Sequence, residues 1–591
     1  MKKFNILLLW VLACVMPLAV NAAPVKVEKA KSVAADFFAK ANPTRAAISL
    51  ELVWNGQSAA TRSTEEPLFY VFNRTNAPGF VMVAGDDATA PILGYSFEHA
   101  FGNPDQMPAH MQWWFGLYAD MIRAVRESGQ QPDEGWTTID PLATPVRVHE
   151  TALWDQGTPY NKECPVYTGT RVASTGCVQT AGAIVMKYHR WPEELSGTVP
   201  GYTTETRRIQ RPARELRPYN WDLMPNEYKN YSAEQGAEVA RLMADLGTAD
   251  KADYGVDEGG STGAFDTFLL NTLATYMGFN KQMRLASRDG MNDEQWTAIL
   301  REELDANGPV IYSGTGKTGG HCFVLDGYDS NGTFRFNWGW SGSGNGYYTV
   351  KNLKPDSYDF TQGQTIIRGI YPDKTGTTVR ADDVQTINYN DINGFEISKS
   401  TVITGETFTA DLCCVNRSTR QFSGKIGVAV FSQSGELKEV LYEKQMSIRG
   451  TTDEGSMYIG ILEDISCKVT GRIARGDRLC PIFWDNGLQK YQKMGSYNAV
   501  CEILISPEAL NAATIAEGTS LAWDRTTRKL TLNSYADLTY KLAKADGTTV
   551  ASGTMTGQAV VVKDVAAGSY TLSVTDPEAE TNGTYTVRLT F

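Results

Sequence analysis

A chain of 591 residues is longer than one hydrophobic core organises, so several domains should follow one another. With 42% hydrophobic and 21% charged residues, and no low-complexity tract, the composition excludes extensive disorder. A formal net charge of −12 excludes a broad phosphate-tracking surface, and no nucleic-acid partner is expected.

Met1-Lys2-Lys3, an apolar run from Phe4 to Val20 and small residues at Ala22-Ala23 form the pattern of a secretory signal peptide, taken as residues 1–22. The run is interrupted by Pro17 and no basic residue follows it closely, which favours cleavage over a membrane anchor. Export from a bacterium, to the medium or the cell surface, is the expectation.

Residues 23–143 read as a small α+β unit. Ala30, Val33, Ala34, Phe37 and Phe38 share one helical face, as do Met111, Trp114, Phe115, Tyr118 and Ile122. Between them, 68–72 and 80–84 have strand character on either side of the turn-rich Asn76-Ala77-Pro78-Gly79.

Residues 144–372 place helices first and strands last, an α+β order. One helix is predicted from Val178 to Tyr188, stopping at Trp191-Pro192, and another behind a capping box of Ser232 and Gln235. A third follows over Phe265, Phe268, Leu269, Thr272, Leu273 and Tyr276. Strands are predicted at 310–312, 322–325, 334–338 and 347–350, with Asn331-Gly332 as a hairpin turn. Beyond residue 372 short strand-like runs alternate with Gly, Asn and Asp turns, which predicts two β-sandwiches over 373–507 and 508–591.

Eight cysteines follow the signal, at 164, 177, 322, 413, 414, 467, 480 and 501, without CxxC spacing or regular repeats, so neither a zinc site nor a dense disulfide scaffold is indicated; acyl transfer through a thiol needs no metal or organic cofactor, and none is expected. One or two disulfides among the last five fit an exported chain. Cys177 stands apart, because Ser174-Thr175-Gly176 precedes it at the start of a helix, where the positive end of the dipole favours a thiolate. By its local sequence alone Cys177 also fits a small apolar residue buried at a helix start.

The chain has only five histidines, which narrows the choice of a general base. His99 and His110 lie in the N-terminal unit, and His149 sits on an extended leader. His189 is on the Cys177 helix but about 18 Å along its axis. His321, opening a strand after two glycines, is the candidate. Asn337 is the candidate to orient its ring, with Trp338 and Trp340 as shields or as plain core aromatics. A simple turn at Asn331-Gly332 would set Asn337 opposite Asp326, so contact with His321 requires a bulge or an earlier turn.

The motifs Ser174-Thr175-Gly176-Cys177-Val178, Gly320-His321-Cys322-Phe323-Val324 and Asn337-Trp338-Gly339-Trp340 closely resemble the streptopain family of papain-like cysteine peptidases. The resemblance implies a papain-like, two-subdomain catalytic domain over 144–372. It implies Gln156 as an oxyanion-hole donor, and Ser261, Gly320 and Trp338 as substrate contacts. It also implies that 23–143 is a propeptide that inhibits its own enzyme until cut away, and that the substrates are proteins or peptides. Cys322 departs from the alanine usual after the histidine. Ala566-Ala567-Gly568-Ser569-Tyr570 and its surroundings resemble, more weakly, C-terminal sorting domains of type IX secretion, which implies contact with secretion machinery. The expected reaction is peptide hydrolysis through a Cys177 thioester. A papain-like acyl transferase and a non-catalytic surface-binding protein are the alternatives, separated by amide cross-linking or by an absence of cleavage.

Overall fold

The structure, a computed structural model, describes residues 22–41, 48–57, 66–128, 131–136, 144–289, 291–316, 319–353, 363–389 and most of 392–590. The signal-peptide residues 1–21 and the boundaries expected at 143 and 507 lie outside the described residues. The chain forms two compact units, the first comprising Met1–Thr248, Ala252–Ala264 and Asn292–Gln362, the second Ala249–Lys251, Phe265–Met291 and Gly363–Phe591.

In the first unit the helix Val27–Ala41 buries the expected stripe of Ala30, Val33, Ala34, Phe37 and Phe38. Its partners are Tyr70, Phe72, Val81, Val83 and Tyr95, on an antiparallel meander of Leu50–Trp54, Phe69–Arg74, Phe80–Ala84 and Ile92–Ser96. This sheet does not end with the N-terminal segment. Ile92–Ser96 pairs with Gly346–Tyr348, and the ladder continues through Phe334–Asn337 and Gly319–Asp329 to Val310–Gly316. Gly94 permits the junction, since a Cβ there would meet the Tyr348 ring at 2.4 Å.

The helix Ala109–Ser128 lies on this sheet. Its buried face holds the expected Met111, Trp114, Phe115, Tyr118 and Ile122, and also His110. Trp114 meets Tyr312, Phe323 and Phe336 edge-on at 4.9–5.8 Å between ring centroids, an arrangement aromatic quadrupoles favour. Burying each such ring contributes about 1.5–3 kcal/mol, so the helix is held chiefly by apolar contact. Arg126 ties its C-terminal turn to the meander, donating to the carbonyls of Pro67 and Gly85.

The helix Cys177–His189 begins at Gly176 and ends at a left-handed Arg190. Ala233–Ala249 starts with the expected capping box, in which Gln235 N–H donates to Ser232 Oγ at 3.2 Å and Ser232 N–H to Gln235 Oε1 at 2.8 Å. The helix Asp293–Asn307 is absent from the sequence reading. It too starts with a capping box, Asn292 with Gln295, but its acidic composition leaves only a thin buried stripe of Trp296, Thr297, Leu300 and Leu304 with Glu303.

In the second unit Asp266–Thr275 is helical, and Arg284–Ser287 pairs with Gln364–Arg368. Among the described residues beyond 372 regular structure is entirely strand. Two five-stranded sheets contribute Phe408 and Leu412, and Ile426, Val428, Leu479 and Phe483, to one buried cluster. A three-stranded and a four-stranded sheet share another, with Leu530, Leu532, Leu542, Leu572 and Leu589. No disulfide joins the last five cysteines: all eight described cysteines are free thiols. Cys413, Cys414, Cys467 and Cys480 are buried among apolar side chains and act as small hydrophobes.

Candidate active site

Cys177 is the first residue of its helix, as its sequence context predicts. Gly176 turns into it at φ +95°, and a Cβ there would stand 2.5 Å from Gln179 Oε1 and 3.2 Å from Thr262. The approach to the helix is clamped from two sides. Thr175 N–H donates to the Gln156 carbonyl at 3.0 Å. Ser174 N–H donates to the Gly260 carbonyl at 2.9 Å, and Thr262 Oγ1 to the Ser174 carbonyl at 2.7 Å. The loop carrying Ser261 is thus held beside the Cys177 helix, and Ser261 itself is exposed.

The Cys177 sulfur receives main-chain N–H groups from Cys322, from Cys177 itself and from Val178. These donors favour the thiolate, but burial outweighs them and pushes the thiol up from its ordinary value. The expectation of a stabilised thiolate is therefore not met in this form of the protein. The helix terminus supplies its donors, and desolvation overrides them.

His321 sits in the strand Gly319–Asp329, directly across from Gly314. It is 5% exposed, and burial lowers its imidazole to about 4. The covering group is Trp113, whose ring stacks on it at 5.5 Å between centroids and 26° between planes. Cys177 and the candidate base His321 are thus both biased to their neutral forms.

Asn337 lies opposite Val324, because a bulge at Asp326 shifts the register between Leu325 and Gly327. Its amide nitrogen donates to Thr151 Oγ1 and to the Ala152 carbonyl, both at 2.9 Å, and its oxygen accepts from Gly339 N–H at 3.1 Å. Thr151 in turn donates to Asp326, a buried carboxyl raised to about 6 by desolvation despite Arg335 at 3.4 Å. Both N–H groups of Asn337 are committed to the segment 151–152, which the sequence reading did not foresee.

Trp338 is 1% exposed, with its indole N–H on the Gly344 carbonyl at 3.0 Å and its ring among Trp114, Phe115, Phe323, Phe336 and Tyr348. In this form it is a core aromatic that substrate does not reach. Gly320 precedes His321 in the same strand, opposite Thr315. His149 is engaged elsewhere, with Tyr188 Oη at 2.8 Å and the Leu304 carbonyl at 2.8 Å.

Two residues at the site were missed. His110, set aside as part of a separate N-terminal unit, places Nε2 2.6 Å from the Trp338 carbonyl, and burial together with the nearby His321 lowers it to about 4. Trp113 lies off the apolar stripe that defined its helix. The signal available was the pair Trp113-Trp114, which widens the aromatic surface beyond a single face. Among the described residues no group of His, Cys, Asp or Glu side chains is arranged to hold a metal ion.

Residues 154–348 match the Peptidase C10 family, and residues 22–122 match the Spi protease inhibitor family. The chain is 32% identical to the thiol protease/hemagglutinin PrtT of Porphyromonas gingivalis over 379 residues, which is 60% of this chain and 42% of PrtT. It therefore spans less than half the length of that relative. It is 30% identical to streptopain of Streptococcus pyogenes over 330 residues, covering 51% of this chain and 80% of streptopain. Among solved structures, prointerpain A of Prevotella intermedia is similar at 28% identity and a TM-score of 0.44, covering 55% of this chain and 99% of that one. The chain belongs to the streptopain family of cysteine peptidases, the Peptidase C10 family, with an inhibitor-type segment ahead of its peptidase region.

Proposed function

We propose that the protein is the latent precursor of an exported bacterial cysteine endopeptidase, with a signal peptide at 1–22, a propeptide at 23–143 and a catalytic domain at 144–372. Two β-sandwich domains, 373–507 and 508–591, follow, the last serving export. One observation carries the reading: the Cys177 sulfur sits at a helix tip among three main-chain donors, one of them from the residue beside His321.

In the matured enzyme Cys177 transfers its proton to His321 and attacks the substrate carbonyl carbon. The oxyanion that forms is met by the Cys177 N–H and the Gln156 side-chain amide. His321 then protonates the leaving nitrogen as the C–N bond breaks, giving a thioester and a free amine. Water, deprotonated by His321, releases the acyl group and restores the thiol. Asn337 orients the imidazole, and Trp338, Ser261 and Gly320 border the substrate once the propeptide helix has left.

Latency follows from the helix Ala109–Ser128, which covers His321 with Trp113 and seals Trp338 with Trp114 and Phe115. The test compares the precursor with its Cys177→Ala variant. The unmodified chain should convert to a shorter form, cleave a denatured protein and bind a thiol-directed peptidase inhibitor, while the variant does none of these. Identical behaviour of the two, with no cleavage and no labelling, overturns the reading.

A further inference from the structure

Tyr167 lies in the short hairpin of Val166–Thr168 and Arg171–Val172 and is 8% exposed. The loop that carries Ser261 rests on its side chain at two points. A Cβ added at Gly255 would stand 2.5 Å from Tyr167 Cβ, and one at Gly260 would stand 2.4 Å from Cε1 of the ring. Between these two buried glycines residues 256–259 are exposed, and their crest is tied down at the Glu258 carbonyl. That carbonyl accepts from Tyr167 Oη at 3.2 Å and from the Arg171 guanidinium at 2.9 Å. Arg207 donates to the Gly255 carbonyl at 2.8 Å, the Asp257 carbonyl at 3.2 Å and the Glu258 carboxylate at 2.8 Å. Both guanidinium groups stand over the Tyr167 ring, 5.2 and 5.8 Å from its centroid, as cation–π attraction favours. One aromatic ring thus gathers the loop and both of the arginines that bind it.

The same loop reaches the turn before Cys177. Gly260, standing on the ring, accepts Ser174 N–H at 2.9 Å, and Thr262 Oγ1 donates to the Ser174 carbonyl at 2.7 Å. We propose that Tyr167 is a positioning residue of the peptidase, which fixes the loop 255–263 beside Cys177 and so sets how tightly a peptide is held, with Arg171 and Arg207 as its clamps. The inference rests on the peptidase reading and deepens it, since Ser261 is the substrate contact on this loop. Cys177 has a second anchor that does not pass through Tyr167, the bond from Thr175 N–H to the Gln156 carbonyl at 3.0 Å. Loss of the ring therefore loosens the loop and leaves the sulfur at its helix tip. A peptide needs both, whereas a small thiol reagent needs the sulfur alone.

The test uses the matured full chain, a peptide spanning the cleaved bond, and iodoacetamide as the small reagent, with rates counted per titrated active site. Tyr167→Leu keeps apolar bulk but removes the flat ring. It should raise KM about tenfold while kcat changes by less than about threefold, the pattern of lost substrate holding rather than lost chemistry. Tyr167→Phe keeps the ring and should stay within about twofold of the unmodified KM. Arg207→Lys keeps the charge but not the fork of donors, and should raise KM about threefold; it carries the test if Tyr167→Leu does not fold. The rate and pH profile of Cys177 alkylation should be unchanged in all three. A merely structural role would instead lower the unfolding midpoint and the number of titratable sites, leaving the KM of the surviving sites alone. Unchanged KM in Tyr167→Leu, or in Arg207→Lys if the former does not fold, overturns the proposal, as does no recovery in Tyr167→Phe or alkylation slowed as much as kcat/KM. Failure of the unmodified enzyme to cleave any peptide, with Cys177 unlabelled by a thiol-directed inhibitor, strikes the peptidase reading instead.

Discussion

The side-chain amide of Asn337 donates to the hydroxyl of Thr151 at 2.9 Å, and the same hydroxyl donates to the buried carboxyl of Asp326. One threonine thus serves both a site residue and a carboxyl that Arg335 only partly compensates. Thr151→Val keeps the shape but leaves an amide N–H and a carboxyl oxygen short of a partner. The expected loss is about 1–3 kcal/mol, with recovery in Thr151→Ser. Urea unfolding of both variants on the Cys177→Ala background, which prevents self-cleavage, measures it.

Acid should loosen the propeptide. His110 and His321 are both lowered to about 4 by burial at the covered site, against an ordinary 6.5. Each therefore binds a proton more weakly in the docked form than after release. Their contribution to docking is complete above about pH 6.5 and is lost as pH falls towards about 4. Asp326, raised to about 6, has the opposite sign, its contribution falling as pH rises between about 4 and 6. It accepts a hydrogen bond from Thr151 and pairs with Arg335, both outside the propeptide, while Glu98 of the propeptide adds to the rise. Limited digestion of the Cys177→Ala precursor by an added protease should release the propeptide faster at about pH 4.5 than at about pH 7.5. His110→Gln should weaken that pH dependence.

Gln156 offers a clean separation of chemistry from stability. Its hydrogen bond to the loop before Cys177 runs through its main-chain carbonyl, which receives Thr175 N–H at 3.0 Å. Gln156→Ala keeps that bond and removes only the side-chain amide. The expected result is a fall in kcat of about a hundredfold or more, with the unfolding midpoint nearly unchanged. Steady-state kinetics of the matured variant, set beside its thermal melt, checks both halves.

Gly176→Ala should damage both. The position is at φ +95°, where L side chains are strained, and the added Cβ would press on Gln179 Oε1 at 2.5 Å. A cost of about 1–3 kcal/mol is expected. The loop must shift to relieve it, and Cys177 shifts with the loop. Reduced inhibitor labelling of Cys177 together with a lower unfolding midpoint checks this.

The parts of the site that depend on near neighbours were legible in the chain alone. A glycine before an apolar run placed Cys177 at a helix tip, Ser232 and Gln235 marked a cap, and the scarcity of histidines singled out His321. Such features are local, since capping and periodicity act within a turn or two of the chain. The thin stripe of Asp293–Asn307 was too weak to register even though Asn292 and Gln295 advertised its start. The folded structure alone reveals that a bulge at Asp326 sets Asn337 opposite Val324, because one extra residue in a ladder leaves no periodic trace. It alone decided the protonation bias of Cys177 and His321. That bias depends on desolvation, and the group that excludes water from His321 is Trp113, some two hundred residues earlier in the chain.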